Sequence, residues 1–210
     1  MKQYKFKNFT NNKEALETLN EVEAEMPGIL EGPLEQWNSL KVVHDEPEVW
    51  RLCMQCGEIR LPLHLISPSS DPFFHFHPWP SVVKCVNGGY LHRMSFYPNA
   101  EMMTNPLHYN GDDEYFERMA RYVQEKMPIT MTRVVPGSMY MMTDIRQCHQ
   151  VIVPEGSIWN SSVMIMGKPY FSGASELFSR KKLGNNPVLT EEEKIKVINP
   201  VRKSYGLSEW

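Results

Sequence analysis

The chain has 210 residues, 41% hydrophobic and 22% charged, with 16 prolines and 12 glycines spread along it. That balance describes one well-buried globular domain with many turns and excludes a largely disordered protein. A net charge of −3 gives no overall basic field for a nucleic-acid backbone, so nucleic acid is not expected as a partner. No apolar run reaches membrane-spanning length, and the N-terminal MKQYKFKNFTNNKEALETL has charge where a signal peptide needs its apolar region, so a cytoplasmic location and no membrane contact are expected. The four cysteines, Cys53, Cys56, Cys85 and Cys148, show no disulfide framework and suit reduced thiols.

Residues 12–26 place Ala15, Leu16, Leu19, Val22 and Met26 at helical spacing among acidic residues, and Pro27-Gly28 is expected to end that helix. From Ile29 to His44 the sequence reads as irregular. A second helix is expected from Glu46-Pro47 through Trp50 and Leu52 toward Gly57, carrying Cys53 and Cys56 on one face.

After Gly57 the pattern turns to strands: EIRLPLHLIS, a PSSDP loop, FFHFH, VVKCV and YLHRMSF. Asn87-Gly88-Gly89 between the last two reads as a hairpin turn, making this a β-meander. An inserted helix near 112–127 carries Tyr115, Phe116, Met119, Tyr122, Val123 and Met127 on one face, with Asp112 and Asp113 near its start. Strands resume as ITMTRVV, GSMYMMTD, CHQVIV and SIWNSSVMIMG, punctuated by Pro-Gly and Pro-Glu-Gly turns. Short strands at this spacing point to a sandwich or barrel. LTEEEKIKVI reads as a closing helix, with Thr190 as N-cap and Glu193 completing a capping box. The organisation is then an N-terminal helical extension (1–57), a barrel (58–170) with its helical insertion, and a C-terminal extension (171–210).

His75 and His77 are two residues apart, so on an extended strand both imidazoles leave the same side and can grip one metal ion. His149, at the head of the apolar strand CHQVIV, is the candidate third ligand, closing the site from across the barrel. The alternative for this pair is an ordinary pair of strand histidines with no ligand. Neutral imidazoles with open positions suit iron, zinc, nickel or manganese. His92 shares strand parity with Tyr90 and is a candidate extra ligand or base. Arg146, Lys84 and Arg93, with Tyr90, are candidates for holding an acidic substrate, because orienting a carboxylate or phosphate needs a cation. His44, His64 and His108 have no spacing argument. Cys85 shares parity with Ser81, and Trp79, between two prolines, is expected to cover the barrel mouth.

The stretch PFFHFHPWPSVVKCVNGGY resembles the first metal-binding motif of the cupin superfamily: His75, His77, Gly88 and Gly89 keep its spacing, the glutamate slot falls on Ser81 or Val82, and Ser69 stands where the leading glycine would be. The second motif is carried by His149. A closer likeness is to small cupin-like proteins frequent in bacteriophage and bacterial genomes, with His75-Phe76-His77-Pro78-Trp79 and Gly88-Gly89-Tyr90 reproducing their motif. The resemblance spans roughly Leu63 to Tyr170. It implies a mainly β, double-stranded β-helix (cupin) barrel with a metal-competent cavity, to which the sequence adds helices at both ends and one inserted helix. The expected function is metal-dependent chemistry on a small molecule at a three-histidine site, of the Fe(II) dioxygenase type. The alternatives are a non-catalytic cupin that binds a nucleotide or sugar, and an isomerase or epimerase. The helical parts could also form a homodimer interface.

Overall fold

A computed structural model describes residues 3–42, 48–69, 74–77, 79–99, 115–170 and 187–210. Among the described residues, ten strands form two antiparallel sheets. The larger contains β1 (Asn38–Val42), β2 (Val49–Cys56), β3 (Ile59–Ile66), β5 (Ser81–Asn87), β8 (Met139–Met142) and β10 (Asn160–Met166), in the order β1-β2-β3-β10-β5-β8. The smaller contains β4 (His75–Phe76), β6 (Tyr90–Phe96), β7 (Thr130–Val134) and β9 (Gln147–Ile152), in the order β4-β9-β6-β7. From β3 on, the chain crosses between the sheets at every step except β6 to β7, which pair with each other, giving β3-β10-β5-β8 against β4-β9-β6-β7. That is the order of a jelly roll, the double-stranded β-helix on which cupins are built.

This topology corrects the meander. Gly88 does make a sharp turn, with φ +74, but β5 and β6 do not pair with each other. The turn carries the chain from one sheet to the other. A turn signal reports local backbone shape, and it is blind to which partner the flanking strands choose.

The expected second helix is also corrected: Val49–Cys56 is strand β2, paired along its whole length with β3 from Val49↔Ile66 to Cys56↔Ile59. Its burial alternates. Leu52, Met54 and Cys56 fill the outer core, whereas Arg51, Cys53 and Gln55 lie on the opposite side. Polar residues on the side facing the barrel interior hide the period of two from a reading that expects apolar residues there. Cys53 and Cys56 therefore lie on opposite faces of a strand.

Helix α1 (Asn12–Leu30) starts as expected, with the Asn11 side chain accepting from the Glu14 N–H at 3.0 Å. It continues past Pro27-Gly28 to Leu30. Proline forfeits one helical hydrogen bond but already has a helical φ, and the burial of Ile29 and Leu30 holds the last turn in place. The stretch read as irregular holds a 3₁₀ turn, Leu34–Gln36, and strand β1. Helix α2 (Tyr115–Lys126) is the inserted helix; Asp112 and Asp113 lie outside the described residues. Helix α3 (Glu191–Ser204) has the expected capping box, Thr190 with Glu193.

The three described helices lie on the outer faces of the sheets. Ala15, Leu19, Val22 and Met26 of α1 and Val197, Ile198 and Val201 of α3 pack on Leu52, Leu61, Leu63, Val163 and Ile165 of the larger sheet. Met119, Ala120 and Val123 of α2 pack on Phe74, Phe76 and Cys148 of the smaller. Among the described residues no helix is long and apolar enough to cross a membrane.

Two glycines with positive φ separate conformation from space. A Cβ on Gly88 would lie 3.2 Å from both Asn160 Cα and Trp159 O, whereas one on Gly137 (φ +85) would meet nothing within 4 Å. Both alanine variants incur the left-handed backbone penalty of about 1 kcal/mol, and only the first adds a backbone clash. Urea denaturation should therefore show Gly88→Ala losing about twice as much stability as Gly137→Ala, or more.

Candidate metal centre

The two-residue period of β4 sends Phe74 and Phe76 outward under α2, and His75 and His77 into the barrel. Strand β9 lies beside β4 in antiparallel register with His75 opposite His149 and Phe76 opposite Cys148. His149 thus enters from the adjacent strand, not from across the barrel as expected. The three rings gather closely, with centroids 4.5 Å apart for His75 and His149, 4.8 Å for His77 and His149, and 5.0 Å for His75 and His77. Their Nε2 atoms converge: His149 Nε2 is 2.8 Å from His77 Nε2 and 3.1 Å from His75 Nε2.

Hydrogen bonding satisfies only part of this arrangement. The His149 Nε2 faces two other ring nitrogens while its Nδ1 faces a third, His92 Nε2, at 2.9 Å. A ring nitrogen has one in-plane lobe, either a lone pair or an N–H, and that of Nε2 cannot point at both His75 and His77. A cation between the Nε2 atoms removes the conflict. Metal–nitrogen bonds of about 2.0–2.1 Å set neighbouring octahedral donors about 3 Å apart, as His149 Nε2 is from each of the other two, and the three ligand atoms all lie within 4.8 Å of one another. The residues therefore fit a divalent ion held by His75, His77 and His149. Among the described residues, no carboxylate or thiol joins the group.

Burial keeps the ligand form available. It pushes the pKa values of His77 and His149 well below the ordinary histidine value, and the neighbouring histidines add to the effect. His92 is pushed down to about 4, first by burial and then by His75. Neutral imidazole is the form that binds metal.

His92 does not reach the Nε2 cluster. Its Nε2 meets the far nitrogen of His149, and its ring stacks on Tyr140 at 3.9 Å and 25°. With Nδ1–H of His149 donating to His92, the Nε2 lone pair of His149 points to the centre. This is the geometry by which an outer partner fixes a ligand's tautomer.

The other expected site residues are dispersed. Lys84 is on the outer face of β5, 2.5 Å from Glu23 of α1. Arg146 closes onto Asp144 in the turn before β9, with Nε 3.0 Å from Oδ1. Arg93 bonds Gln150 on its neighbouring strand at 2.7 Å. None of these three cations serves the barrel interior. Tyr90 is buried in an apolar cluster with Cys85, Val134 and Val153. Trp79 packs with Val83, Met164 and Met166, its ring edge-on to His77 with the centroids 5.7 Å apart. The two positions of the glutamate slot part company: Val82 joins the outer core, and Ser81 is fully buried with its hydroxyl unpartnered. An open cleft of about 400 Å³, lined by Gln55, Gly57, Glu58, Arg60, Gly167, Lys168 and Pro169, contains none of the histidines.

The cations and histidine on the interior face of the larger sheet are ones that sequence reasoning passed over. Arg51, Arg60 and His64 all share the parity opposite to the outer core. Reading β2 as a helix concealed Arg51, and only the parity of β3 could have signalled His64. His44 and His108 lie outside the described residues.

No protein-family model and no curated protein sequence matches this chain. Among solved structures, similar backbones include hydroxypropylphosphonic acid epoxidase from S. wedmorenis, at 11% identity and a TM-score of 0.40 over 64% of this chain and 57% of that one. KdgF from Halomonas sp. gives 8% and 0.35 over 58% and 81%. A variant of the oxalate decarboxylase of Bacillus subtilis gives 9% and 0.39 over 81% and 36%. The chain spans less than two thirds of the epoxidase and about a third of the decarboxylase. Its own strand order and convergent imidazoles define the class: a cupin-type double-stranded β-helix with a three-histidine, metal-competent interior.

His64 offers a pH test separate from the ligands. Burial holds its pKa well below 6.5, with Arg51 adding to the effect. The unfolded chain therefore binds a proton below about pH 6.5 that the folded chain refuses. This contribution to stability is complete above that pH and falls away as the pH drops toward the folded value. In chelator-treated protein, urea denaturation at pH 7.5 and pH 5.5 should show His64→Phe losing less stability on acidification than the unsubstituted chain. The difference should approach about 1.4 kcal/mol per pH unit.

Proposed function

We propose that this chain is a metal-dependent cupin enzyme acting on a small molecule, with His75, His77 and His149 holding one divalent ion. The reaction is of the Fe(II) dioxygenase type. The observation that carries the reading is the convergence of three Nε2 atoms at 2.8 and 3.1 Å around His149. Three imidazoles leave about three positions open on an octahedral ion, room for a chelating substrate beside O₂ or water. Fe(II), when bound, supplies the one-electron chemistry that lets O₂ react with an organic molecule. Zinc, nickel and manganese suit the same nitrogen donors.

The chain's own residues hold, orient and shield. His92 accepts from His149 Nδ1–H and fixes its tautomer, and Tyr140 keeps the His92 ring in place by stacking. Trp79, Val83, Met164 and Met166 form an apolar cluster on the interior side that limits water. We assign the barrel to 58–170 and treat 1–57 and 171–210 as extensions around it. The small cupin-like proteins of phage and bacterial genomes are the group to which we ascribe it, acting in the cytoplasm.

The second reading is a non-catalytic cupin that binds a nucleotide or sugar. It is favoured by the donor set: among the described residues no carboxylate joins the imidazoles, so a general base other than histidine is missing. The same observation weighs against an isomerase or epimerase.

Metal analysis of protein purified without chelator should give about one equivalent per chain, falling below about a tenth in His75→Ala and in His149→Ala. His92→Ala should keep the site but weaken metal affinity roughly 10–100-fold. Metal content that is negligible, or indifferent to His75→Ala, contradicts the reading. With Fe(II) restored, oxygen-electrode traces with a panel of small acids test the reaction. A loaded protein that never consumes O₂, yet melts higher with nucleotides or sugars, takes the second reading instead.

A further inference from the structure

The interior face of the larger sheet carries charge that the histidine centre does not use. Arg51 on β2 and His64 on β3 are direct ladder partners, and Ser162 on β10 stands next in the same row. Their chain neighbours Leu52, Leu63, Leu65 and Val163 fill the core under α1 and α3, so this row faces the other way, into the barrel. His64 is only 7% exposed, and its Nε2 is buried with no hydrogen-bond partner. The Nε of Arg51 is in the same condition. Arg60, on the same face, lies over the Trp79 ring at 5.1 Å.

Among the described residues, no carboxylate pairs with Arg51 or Arg60. The outer lysines are treated differently: Lys84 has Glu23, Lys41 has Glu48 and Glu193, and Lys168 has Glu58. A buried guanidinium edge without an acceptor is costly to retain. It is what a binding site for a planar, two-oxygen anion presents, because Nε and one Nη form a fork that matches a carboxylate or two phosphate oxygens. The face is also connected to the histidine centre by contacts: the Trp79 ring beneath Arg60 stands with its centroid 5.7 Å from that of His77. Along the same face, Met164 and Met166 pack with Val83 and Trp79, an apolar wall suited to a short carbon skeleton.

We propose that Arg51, with His64 beside it, anchors the oxoanion head of a small acidic substrate whose other end reaches the three-histidine centre. The role of that other end rests on the metal-centre reading. The anchor itself does not, because guanidinium and imidazole bind an anion with or without the ion.

The test is calorimetric titration of the full chain, chelator-treated and Zn(II)-loaded, with succinate in one arm and inorganic phosphate in the other. The expected result is saturable binding of at least one anion, weakened tenfold or more in Arg51→Met and changed less than twofold in Arg146→Met. Binding of succinate assigns a carboxylic acid, and binding of phosphate alone assigns a phosphorylated substrate. Absence of binding to either form, or binding indifferent to Arg51→Met, overturns the proposal. Should Arg51→Met fail to fold, Arg51→Lys, which keeps the charge and loses the fork, should weaken binding at least threefold, and an unchanged affinity overturns the proposal equally. Metal content measured on the same samples separates the two ideas: Arg51-dependent binding in protein that takes up no zinc leaves the anion site standing and removes the metal centre.

Discussion

The pairing of His75 with His149 across the β4–β9 ladder is the constraint on which the site depends. Side chains alternate along a strand, so a slip of β4 by one residue would move His75 and His77 to the outside, bring Phe76 in and leave His149 without them. The register is secured from the outer side. Phe74, Phe76 and Cys148 are buried beneath Met119, Ala120 and Val123 of α2, and each is less than about a tenth exposed. The inserted helix therefore does more than cover a sheet: its apolar face selects the register that turns the histidines inward. His92 then reaches His149 from β6, the other neighbour of β9, so the central ligand is held from both sides.

A second consequence of the two-sheet design is a separation of charge. The outer faces pair their lysines with glutamates contributed by the helices and turns, at partly exposed positions where such pairs contribute little to stability. Among the described residues, the inner face of the larger sheet holds Arg51 and Arg60 with no paired carboxylate and His64 with its Nε2 unpartnered. A structure selected for stability alone would fill that face with apolar side chains. Retaining Arg51 and His64 there makes sense when a ligand provides the missing acceptor.

The legible parts of the sequence were those with a strong local signature. His75 and His77 stand in a period-two run whose alternate residues are phenylalanines, so their common direction could be read directly. The capping box at Thr190 and Glu193 depends on residues three apart, and it formed as expected. The parts that were not legible depend on distant partners. Asn87-Gly88-Gly89 announces a turn but not the change of sheet that follows it, because strand pairing is decided by the whole barrel. Strand β2 carries arginine, cysteine and glutamine on an inner face where a soluble domain ordinarily places apolar residues, so its alternation resembled neither strand nor helix cleanly. That same polarity, once the strand is recognised, marks the interior as a binding surface. Lys84, Arg93 and Arg146 are anion-ligand candidates by charge alone, but Lys84 and Arg93 leave their strands on the outer face and Arg146 closes on Asp144 in a turn.

X-ray absorption spectroscopy at the edge of the bound metal tests the central claim most directly, because it sees ligands rather than activity. The account predicts a nitrogen shell near about 2.0–2.2 Å with the outer-ring scattering of about three imidazoles, reduced by one imidazole in His77→Ala. An oxygen-only shell, or a spectrum unchanged by that substitution, would contradict a centre built from His75, His77 and His149.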